Sequence, residues 1–209
     1  SNARKVKYMS KANKSNKAIK YRLYPNDEQK VMFAKTFGCC RFVYNQLLAL
    51  QKQRYKDGES HLSKLKSNEF ATRTLKKDYD FLKEIDKFAV SNAVFHLADA
   101  YDRFFKKQNH FPKFKSKRKS KKSYTTNFTN NNILIGKNVI KLPKVGMVKA
   151  VIHRLPKDDW KLKSVTVSQD SVGNYFASVL FEYEQEDIPS VSKSSTNAIG
   201  LDYKSDGLY

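Results

Sequence analysis

The sequence has 209 residues, of which 40% are hydrophobic and 13% aromatic, enough apolar material for a sizeable core and too much for a disordered polymer. No run approaches the roughly 20 apolar residues of a membrane span, and no apolar N-terminal segment is typical of a signal peptide. The cysteines, Cys39 and Cys40, are adjacent and have neither disulfide-framework nor metal-ligand spacing. We expect a cytoplasmic protein with no membrane partner and no small-molecule substrate.

The net charge of +21 is unevenly distributed. Residues 1–122 hold 31 basic and 11 acidic residues, whereas 123–209 hold 10 and 9. Two arms carry nearly all the excess: 1–22 has eight basic residues and 103–122 has ten, without an acid in either. Like charges repel unless a polyanion neutralises them, so nucleic acid is the predicted partner. Solvated tails and an anionic membrane surface are the alternatives, although no amphipathic membrane-binding helix is evident.

The first predicted elements are a strand and a long helix. Residues 18–23 alternate between apolar and basic side chains, which predicts a strand presenting Lys20 and Arg22 on one face. Asn26 reads as the N-cap of a helix that runs to about residue 56, with Gln29 three positions after the cap. Its apolar face predicts that Cys40 packs in the core. Gly38 is a candidate kink.

Two further helices are predicted at 67–77 and 86–107, and the three together are expected to pack as a small bundle. Beyond residue 123 the pattern changes to period two, which indicates short strands joined by Asn- and Gly-containing turns. The predicted strands are 124–128, 133–135, 139–142, 147–153, 162–168 and 174–184. With the first strand they suggest a small barrel or sandwich, into which the helices are inserted.

The C-terminal part of the sequence suggests a second fold. Residues 186–196 read as a linker rich in Ser and Pro, and 197–203 as a new strand containing Asp202. Because a single strand is not stable alone, we expect the sequence to end inside a following domain.

Several blocks in order then give a specific resemblance. They are 21–26 (YRLYPN), 38–45 (GCCRFVYN), 86–89 (DKFA), 111–115 (FPKFK), 128–132 (FTNNN), 141–144 (KLPK) and 200–202 (GLD). With these blocks the chain resembles the TnpB/OrfB proteins of bacterial insertion sequences, which are RNA-guided DNA endonucleases related to the type V CRISPR effectors.

We predict an α+β fold in four parts, of which the barrel, the recognition domain and the nuclease domain are implied by the resemblance. These are a tag remnant and basic arm at 1–16, a wedge-like β-barrel at 17–25 and 110–188, an inserted helical recognition domain at 26–109, and a linker with the start of an RNase H-like (RuvC) nuclease domain at 189–209. The resemblance implies a transposon-encoded protein, described in older terms as a helix-turn-helix transposase, whose partners are guide RNA and target DNA.

The resemblance also assigns Asp202 as the first of three carboxylates that hold the catalytic metal. The other two, and the paired-cysteine zinc motifs, lie downstream in the family and are not in this sequence. Because one acid cannot form a two-metal site, we expect the 209 residues to be inactive and to hold no cofactor, whereas Mg²⁺ and structural Zn²⁺ are expected in the full-length protein. The alternative for Asp202 is an ordinary polar residue at a strand end.

The nucleic-acid contacts fall into three groups. Match to the family places Lys87, Ser91, Thr129 and Asn130 beside the duplex motif next to the target, where Asn can pair with adenine and Thr can contact a thymine methyl. A solvated helix face, and a simple turn at the Asn run that includes Asn131, are the alternatives. The second arm interleaves aromatic and basic residues, which suits single strands, although the Phe side chains could instead anchor the arm to the barrel. The predicted contacts of this arm are Lys113, Lys115, Lys117, Arg118, Lys119, Lys121, Lys122 and Tyr124. Lys20 and Arg22 on the first strand form the third group.

Two other functions remain open at this stage: a stand-alone helix-turn-helix regulator and a ribosomal-type RNA-binding protein. The nearly neutral middle segment is unlike a basic recognition helix, and neither alternative needs the partial strand at Asp202.

Overall fold

The computed structural model describes residues 13–185, and its first strand follows the predicted alternation. β1 (Asn13–Tyr24) buries Ile19, Tyr21 and Leu23 and presents Lys20 and Arg22 on the opposite face. The strand begins five residues earlier than predicted. Its polar first half is extended because β7 pairs with it from Asn13 to Leu23 and supplies the backbone hydrogen bonds.

The long helix α1 (Asp27–Lys56) begins at the predicted cap. The Asn26 side chain accepts from the Gln29 amide at 2.8 Å, and the Gln29 side chain accepts from the Asn26 amide at 3.0 Å. The side-chain nitrogen of Gln29 donates to the Met147 carbonyl at 2.9 Å, so the cap also ties the helix to the sheet. Gly38 does not interrupt the helix.

The second helical segment is less regular than predicted. It consists of α2 (Lys64–Glu69), a π-helical turn (Phe70–Leu75), α3 (Lys76–Asp78) and a 3₁₀ turn (Asp80–Lys83). At the π turn, the Thr72 hydroxyl donates to the Asn68 carbonyl at 2.8 Å, and such back-bonding competes with regular α-helical pairing. The last helix, α4 (Lys87–Phe105), follows Asp86.

The seven strands form one antiparallel sheet in the order β2-β6-β7-β1-β5-β4-β3. The sheet curls into a half-barrel, so the predicted mixed α and β architecture is confirmed. Within 13–185 it stays open between β2 and the two-residue β3. The remaining strands are β2 (Lys122–Asn127), β3 (Leu134–Ile135), β4 (Val139–Leu142), β5 (Gly146–Val151), β6 (Lys161–Gln169) and β7 (Tyr175–Gln185).

The core lies between the buried face of the sheet and α1. The Phe33 ring stacks on Tyr175 with centroids 5.5 Å apart, and Phe37 lies 5.8 Å from Tyr124. Cys40 belongs to this core, as predicted, and burial raises the pKa of its thiol to about 12. Within the described residues, every helix is too short or too polar to cross a bilayer. The predicted RNase H-like strand and Asp202 lie outside 13–185.

Candidate nucleic-acid interface

A cleft of about 510 Å³ lies between the start of α4 and the turns of the sheet that follow β2 and β4. It brings Lys87 together with Thr129 and Asn130, which lie more than 40 positions later in the sequence. Ser91 lies one turn further along α4, partly exposed, and Asn131 is exposed beside Asn130. The cleft residues are Lys76, Lys83, Ile85, Asp86, Lys87, Phe88, Thr129, Asn130, Asn132, Pro143 and Lys144.

A buried hydrogen bond holds the start of α4 against β2. The hydroxyl of Thr126, fully buried on β2, donates to the carboxylate of Asp86, which is itself buried. The backbone carbonyl of Asp86 accepts from the Ala89 amide at 3.1 Å and thereby begins the helix. Because Asp86 directly precedes Lys87, this contact fixes the side of the cleft that α4 forms.

The Asn turn forms the opposite side of the cleft. Asn130 and Asn131 have φ values of 45° and 55°, a left-handed conformation that Asn tolerates better than most residues. Asn132 stabilises the turn: its side chain accepts from the Thr129 amide at 2.8 Å and donates to the Asn127 carbonyl at 2.9 Å. One Asn therefore builds the turn, and the exposed Asn130 faces the cleft.

The cleft carries positive charge that its own acids only partly balance. Partial burial lowers the pKa of Lys76; the carboxylate of Asp86 opposes this shift and the ammonium of Lys87 reinforces it. Lys83 is already paired with Asp80 at 2.5 Å. An anion between Lys76, Lys87 and Lys144 would relieve the repulsion, so the arrangement suits a phosphate beside base edges that Thr129 and Asn130 can contact.

Residues 116–120 of the second basic arm form a folded turn with its cations exposed. The Ser120 hydroxyl accepts from the Ser116 amide at 2.9 Å, and the Ser116 hydroxyl accepts from the Lys119 amide at 3.0 Å. Its exposed cations, which we call the basic segment, are Lys117, Arg118, Lys119, Lys121 and Lys122. Lys113 is exposed just before it.

Lys115 is anchored rather than free. The Asn45 side chain on α1 donates to the Lys115 carbonyl at 2.9 Å and accepts from its amide at 2.8 Å. The Lys115 ammonium lies 4.1 Å from the centroid of the Tyr44 ring, and burial lowers its pKa. Lys115 therefore attaches the arm to the helices.

Lys20 and Arg22 form a surface on β1 and β7. The Lys20 ammonium lies 4.3 Å from the centroid of Phe176, and the Arg22 guanidinium lies 5.2 Å from the same centroid. Arg22 also donates to the side-chain carbonyl of Asn174. Neither cation is among the cleft residues.

Tyr124 requires a correction, because it is 3% exposed and packs against Phe33 and Phe37. Its ring is part of the core and offers no surface to a base. Of the two phenylalanines in the arm, Phe111 packs against Tyr101 and Phe104 on α4, so it anchors the arm to the helices and not to the barrel as the alternative predicted. Phe114 is 53% exposed beneath the Lys52 ammonium.

Comparison with known proteins identifies the family. Residues 15–60 match the family model described as a helix-turn-helix domain, of the OrfB and IS605 type. The protein named "Putative RNA-guided DNA endonuclease" from Streptomyces pristinaespiralis is 30% identical over 188 residues, which are 89% of this chain and 45% of the relative. InsQ of Escherichia coli K12, also named "Putative RNA-guided DNA endonuclease", is 30% identical over 192 residues, or 88% of this chain and 44% of the relative.

The chain belongs to the TnpB/OrfB family. It spans less than half the length of the two endonuclease-named relatives. It also resembles the virulence protein VsdF of Salmonella dublin, with 32% identity over 111 residues that cover 48% of this chain and 93% of VsdF.

The region matched by the OrfB model is not a helix-turn-helix in this structure. Residues 15–60 contain most of β1 and all of α1, which is one strand and one uninterrupted helix. In this TnpB/OrfB chain the cleft therefore takes its helical side from α4, which lies outside the match.

Sequence reasoning missed Lys76, Lys83 and Lys144 as cleft residues. The 80 residues between the arms carry 13 basic and 11 acidic residues, so the average charge gave no signal. The acids are used elsewhere: Glu84, for example, pairs with Lys35 at 2.6 Å. Lys144 was detectable through its place in the KLPK block.

The described part of the chain does not fit the metals that the family implies. Residues 13–185 contain no group of three or more His, Cys, Asp or Glu side chains placed to hold a metal ion. Cys39 and Cys40 are both buried and pack in the core.

Proposed function

We propose that this chain is the nucleic-acid-binding N-terminal part of a transposon-encoded RNA-guided DNA endonuclease. In this role it binds guide RNA and the DNA duplex next to the target. One observation carries the proposal: the cleft brings Lys76, Lys87 and Lys144 together with Thr129 and Asn130 at the junction of helices and sheet. The names of the two endonuclease-named relatives, of which this chain covers less than half, support it.

The cleft residues divide between two tasks. Asn130 and Thr129 contact base edges, because an amide can pair with adenine and a threonine methyl can touch thymine. Lys76, Lys87 and Lys144 neutralise phosphates and set the register of the duplex. Ser91, one turn after Lys87, contacts the backbone of the same duplex.

Guide RNA contacts the cations outside the cleft. The basic segment, with Lys113, presents ammonium and guanidinium groups. Because hydrogen bonds already order the turn, binding costs little backbone conformational entropy. Lys20 and Arg22 present a second positive surface on β1, where the exposed part of Phe176 offers an apolar contact. RNA that copurifies with the chain when it is expressed with its native element, and that derives from that element, would support this assignment.

The cleft is tested by removing two lysines together. The Lys76→Ala/Lys87→Ala variant should weaken binding to duplex DNA and reduce the slope of log K against log salt by roughly 0.9 for each lost phosphate contact. The control is Lys77→Ala, since Lys77 is the exposed neighbour of Lys76 and does not line the cleft. Fluorescence anisotropy over a salt series gives both quantities.

Asn130→Gly separates base recognition from phosphate binding, because glycine keeps the left-handed turn and removes the side chain. It should leave the salt slope unchanged and reduce the preference among duplex sequences, because one good bidentate pair discriminates by about 1–3 kcal/mol.

Equal duplex binding by the double lysine variant and the unchanged chain would exclude the cleft as the duplex-binding site. Tight binding of one duplex sequence without any RNA would instead favour a stand-alone regulator.

Cleavage is proposed only for a longer protein. There Asp202, which lies outside the described residues, supplies the first metal-binding carboxylate, and Mg²⁺ and a structural Zn²⁺ are held with residues that this sequence lacks. In that protein Asp202→Ala should abolish cutting of guided DNA while RNA binding persists, because the basic segment lies elsewhere. Persistent cleavage, or loss of RNA binding, would remove this assignment.

A further inference from the structure

A second cavity, also of about 510 Å³, lies where the last turns of α1 and α4 meet. Its walls are largely aromatic, and we call it the aromatic pocket. Its aromatic residues are Tyr55, His61, Tyr101, Phe104, Phe105 and Phe111. The volume falls within the range of about 300–1,000 Å³ that is usual for ligand sites.

The rings at the base of the aromatic pocket hold one another in place. His61 meets Tyr101 edge-on with centroids 4.5 Å apart, and Phe111 meets Tyr101 edge-on at 5.5 Å. Phe105 packs beside Tyr101 at 6.0 Å. These contacts with Tyr101 fix the orientations of His61, Phe105 and Phe111.

Two rings at the mouth remain largely uncovered. Tyr55 is 85% exposed and Phe105 is 60% exposed, on different helices that border the same cavity. Exposed aromatic surface grouped around a cavity is typical of a binding site, whereas a single exposed ring is not. Since the rings lie on helices, their separation is set before a ligand arrives.

The rim of the aromatic pocket is positive. Lys52 and Lys56 line it from α1. The one acid in the lining, Glu59, is paired with Arg54. His61 contributes no positive charge at neutral pH, because partial burial among the rings lowers its pKa, and the Gln51 amide donates to its ring nitrogen at 3.3 Å.

We propose that the aromatic pocket binds an unpaired base of a single-stranded nucleic acid. The base stacks on Phe105 or Tyr55, and Lys52 and Lys56 neutralise the flanking phosphates. Base stacking on an aromatic ring combined with cations along the backbone is how proteins hold single strands without reading their sequence. The inference rests on the proposed function for its class of partner, and it adds a site with no residue in common with the cleft.

Charge complementarity selects a nucleic acid over an apolar peptide or a second copy of the chain. The α4 end of the pocket is followed directly by Lys106 and Lys107, both exposed. A second copy with the same net charge of +21 would be repelled from this rim. A polyanion with flat apolar bases matches both the rings and the lysines.

The test compares strands of equal charge with and without bases. The probes are ten-nucleotide oligouridylate, ten-nucleotide oligothymidylate, an abasic deoxyribose-phosphate strand of the same length and a blunt DNA duplex. We expect the 209-residue chain to bind both base-bearing strands more tightly than the abasic strand. Phe105→Ala should weaken binding to them roughly 5- to 150-fold and leave the abasic strand unchanged.

Matched variants separate stacking from folding. Phe105→Trp should keep the preference for bases, and Leu65→Ala, at a side chain that is 77% exposed on α2, should not change it. Tyr55→Ala provides a second ring substitution if Phe105→Ala proves unstable by circular dichroism. A larger loss with oligouridylate assigns the pocket to RNA, and a larger loss with oligothymidylate assigns it to DNA; either supports the proposal.

Two results would overturn the inference. The first is equal binding of base-bearing and abasic strands by the unchanged chain. The second is concentration-dependent self-association in sedimentation that Phe105→Ala abolishes, which would assign the pocket to a second copy. If the unchanged chain still binds the duplex in either case, the proposed function stands. If it binds none of the probes with an affinity that depends on salt, the proposed function itself is contradicted.

Discussion

Asn45 shows how one side chain can position a charged segment. Both of its polar atoms are used, with the amide donating to the Lys115 carbonyl and the carbonyl accepting from the Lys115 amide. The pair joins α1 to a loop 70 residues away and holds the Lys115 ammonium over Tyr44. Asn45 thus acts on nucleic acid only through the arm that it orients.

We expect Asn45→Ala to destabilise the fold by about 1–3 kcal/mol, because two partly buried backbone groups lose their partners. Urea unfolding measures this loss, and faster hydrogen exchange at the Lys115 amide locates it. The control is Gln46→Ala, at the next position on α1, which should have little effect. An unchanged Lys115 exchange rate in Asn45→Ala would show that the arm is held by other contacts.

At the scale of elements, the junction between α4 and β2 determines the shape of the cleft. The hydrogen bond from Thr126 to Asp86 lies in the core, with the helix start on one side and a strand on the other. Asn92 adds to the junction by donating to the Thr125 carbonyl at 2.9 Å. Lys87 and the Asn turn are therefore placed by two elements that are hydrogen-bonded to each other.

Thr126→Val tests this junction with little change in shape. The substitution removes the donor and leaves the buried Asp86 carboxylate without it, so stability should fall by about 1–3 kcal/mol or more. Thr125→Val is the matched control, since Thr125 bonds Thr166 at 2.8 Å on the partly exposed face and its loss should cost less. Equal losses measured by thermal unfolding would contradict the importance of the buried contact.

At the scale of the whole molecule, charge and stability are separable. The basic segment projects from a turn that its serines fold, and its five cations are exposed. They therefore contribute to the electrostatic field of the protein without supporting its core.

Replacing Lys117, Arg118, Lys119, Lys121 and Lys122 with Gln should leave the unfolding midpoint nearly unchanged. RNA affinity should fall, and the salt slope should decrease by up to roughly 0.7 for each single-strand phosphate contact removed. The comparison is a variant with Gln at Lys137, Lys157 and Lys161, which are exposed in the sheet region. Unfolding of the fivefold variant would show that the segment is structural.

Local patterns predicted the helix cap and the alternating part of β1, whereas the first five residues of β1 are extended by pairing with the distant β7. The Asn26 cap and the alternation of β1 depend on residues within a few positions of one another. The cleft could not be predicted from charge counts, since Lys76 and Lys144 meet only through the tertiary fold. The basic neighbours of Tyr124 suggest a nucleic-acid contact, but the period of its strand places Tyr124 and Thr126 on the buried face.

The unbroken length of α4 has a consequence for the length of any nucleic acid that reaches both sites. Lys87 borders the cleft at its first residue and Phe105 borders the aromatic pocket at its last. At 1.5 Å per residue the two are about 27 Å apart, which corresponds to about eight base steps of B-form DNA. The length of α4 therefore sets the distance between the two sites. An insertion of one helical turn would lengthen the shortest strand that reaches both by about 5.4 Å and leave each site intact.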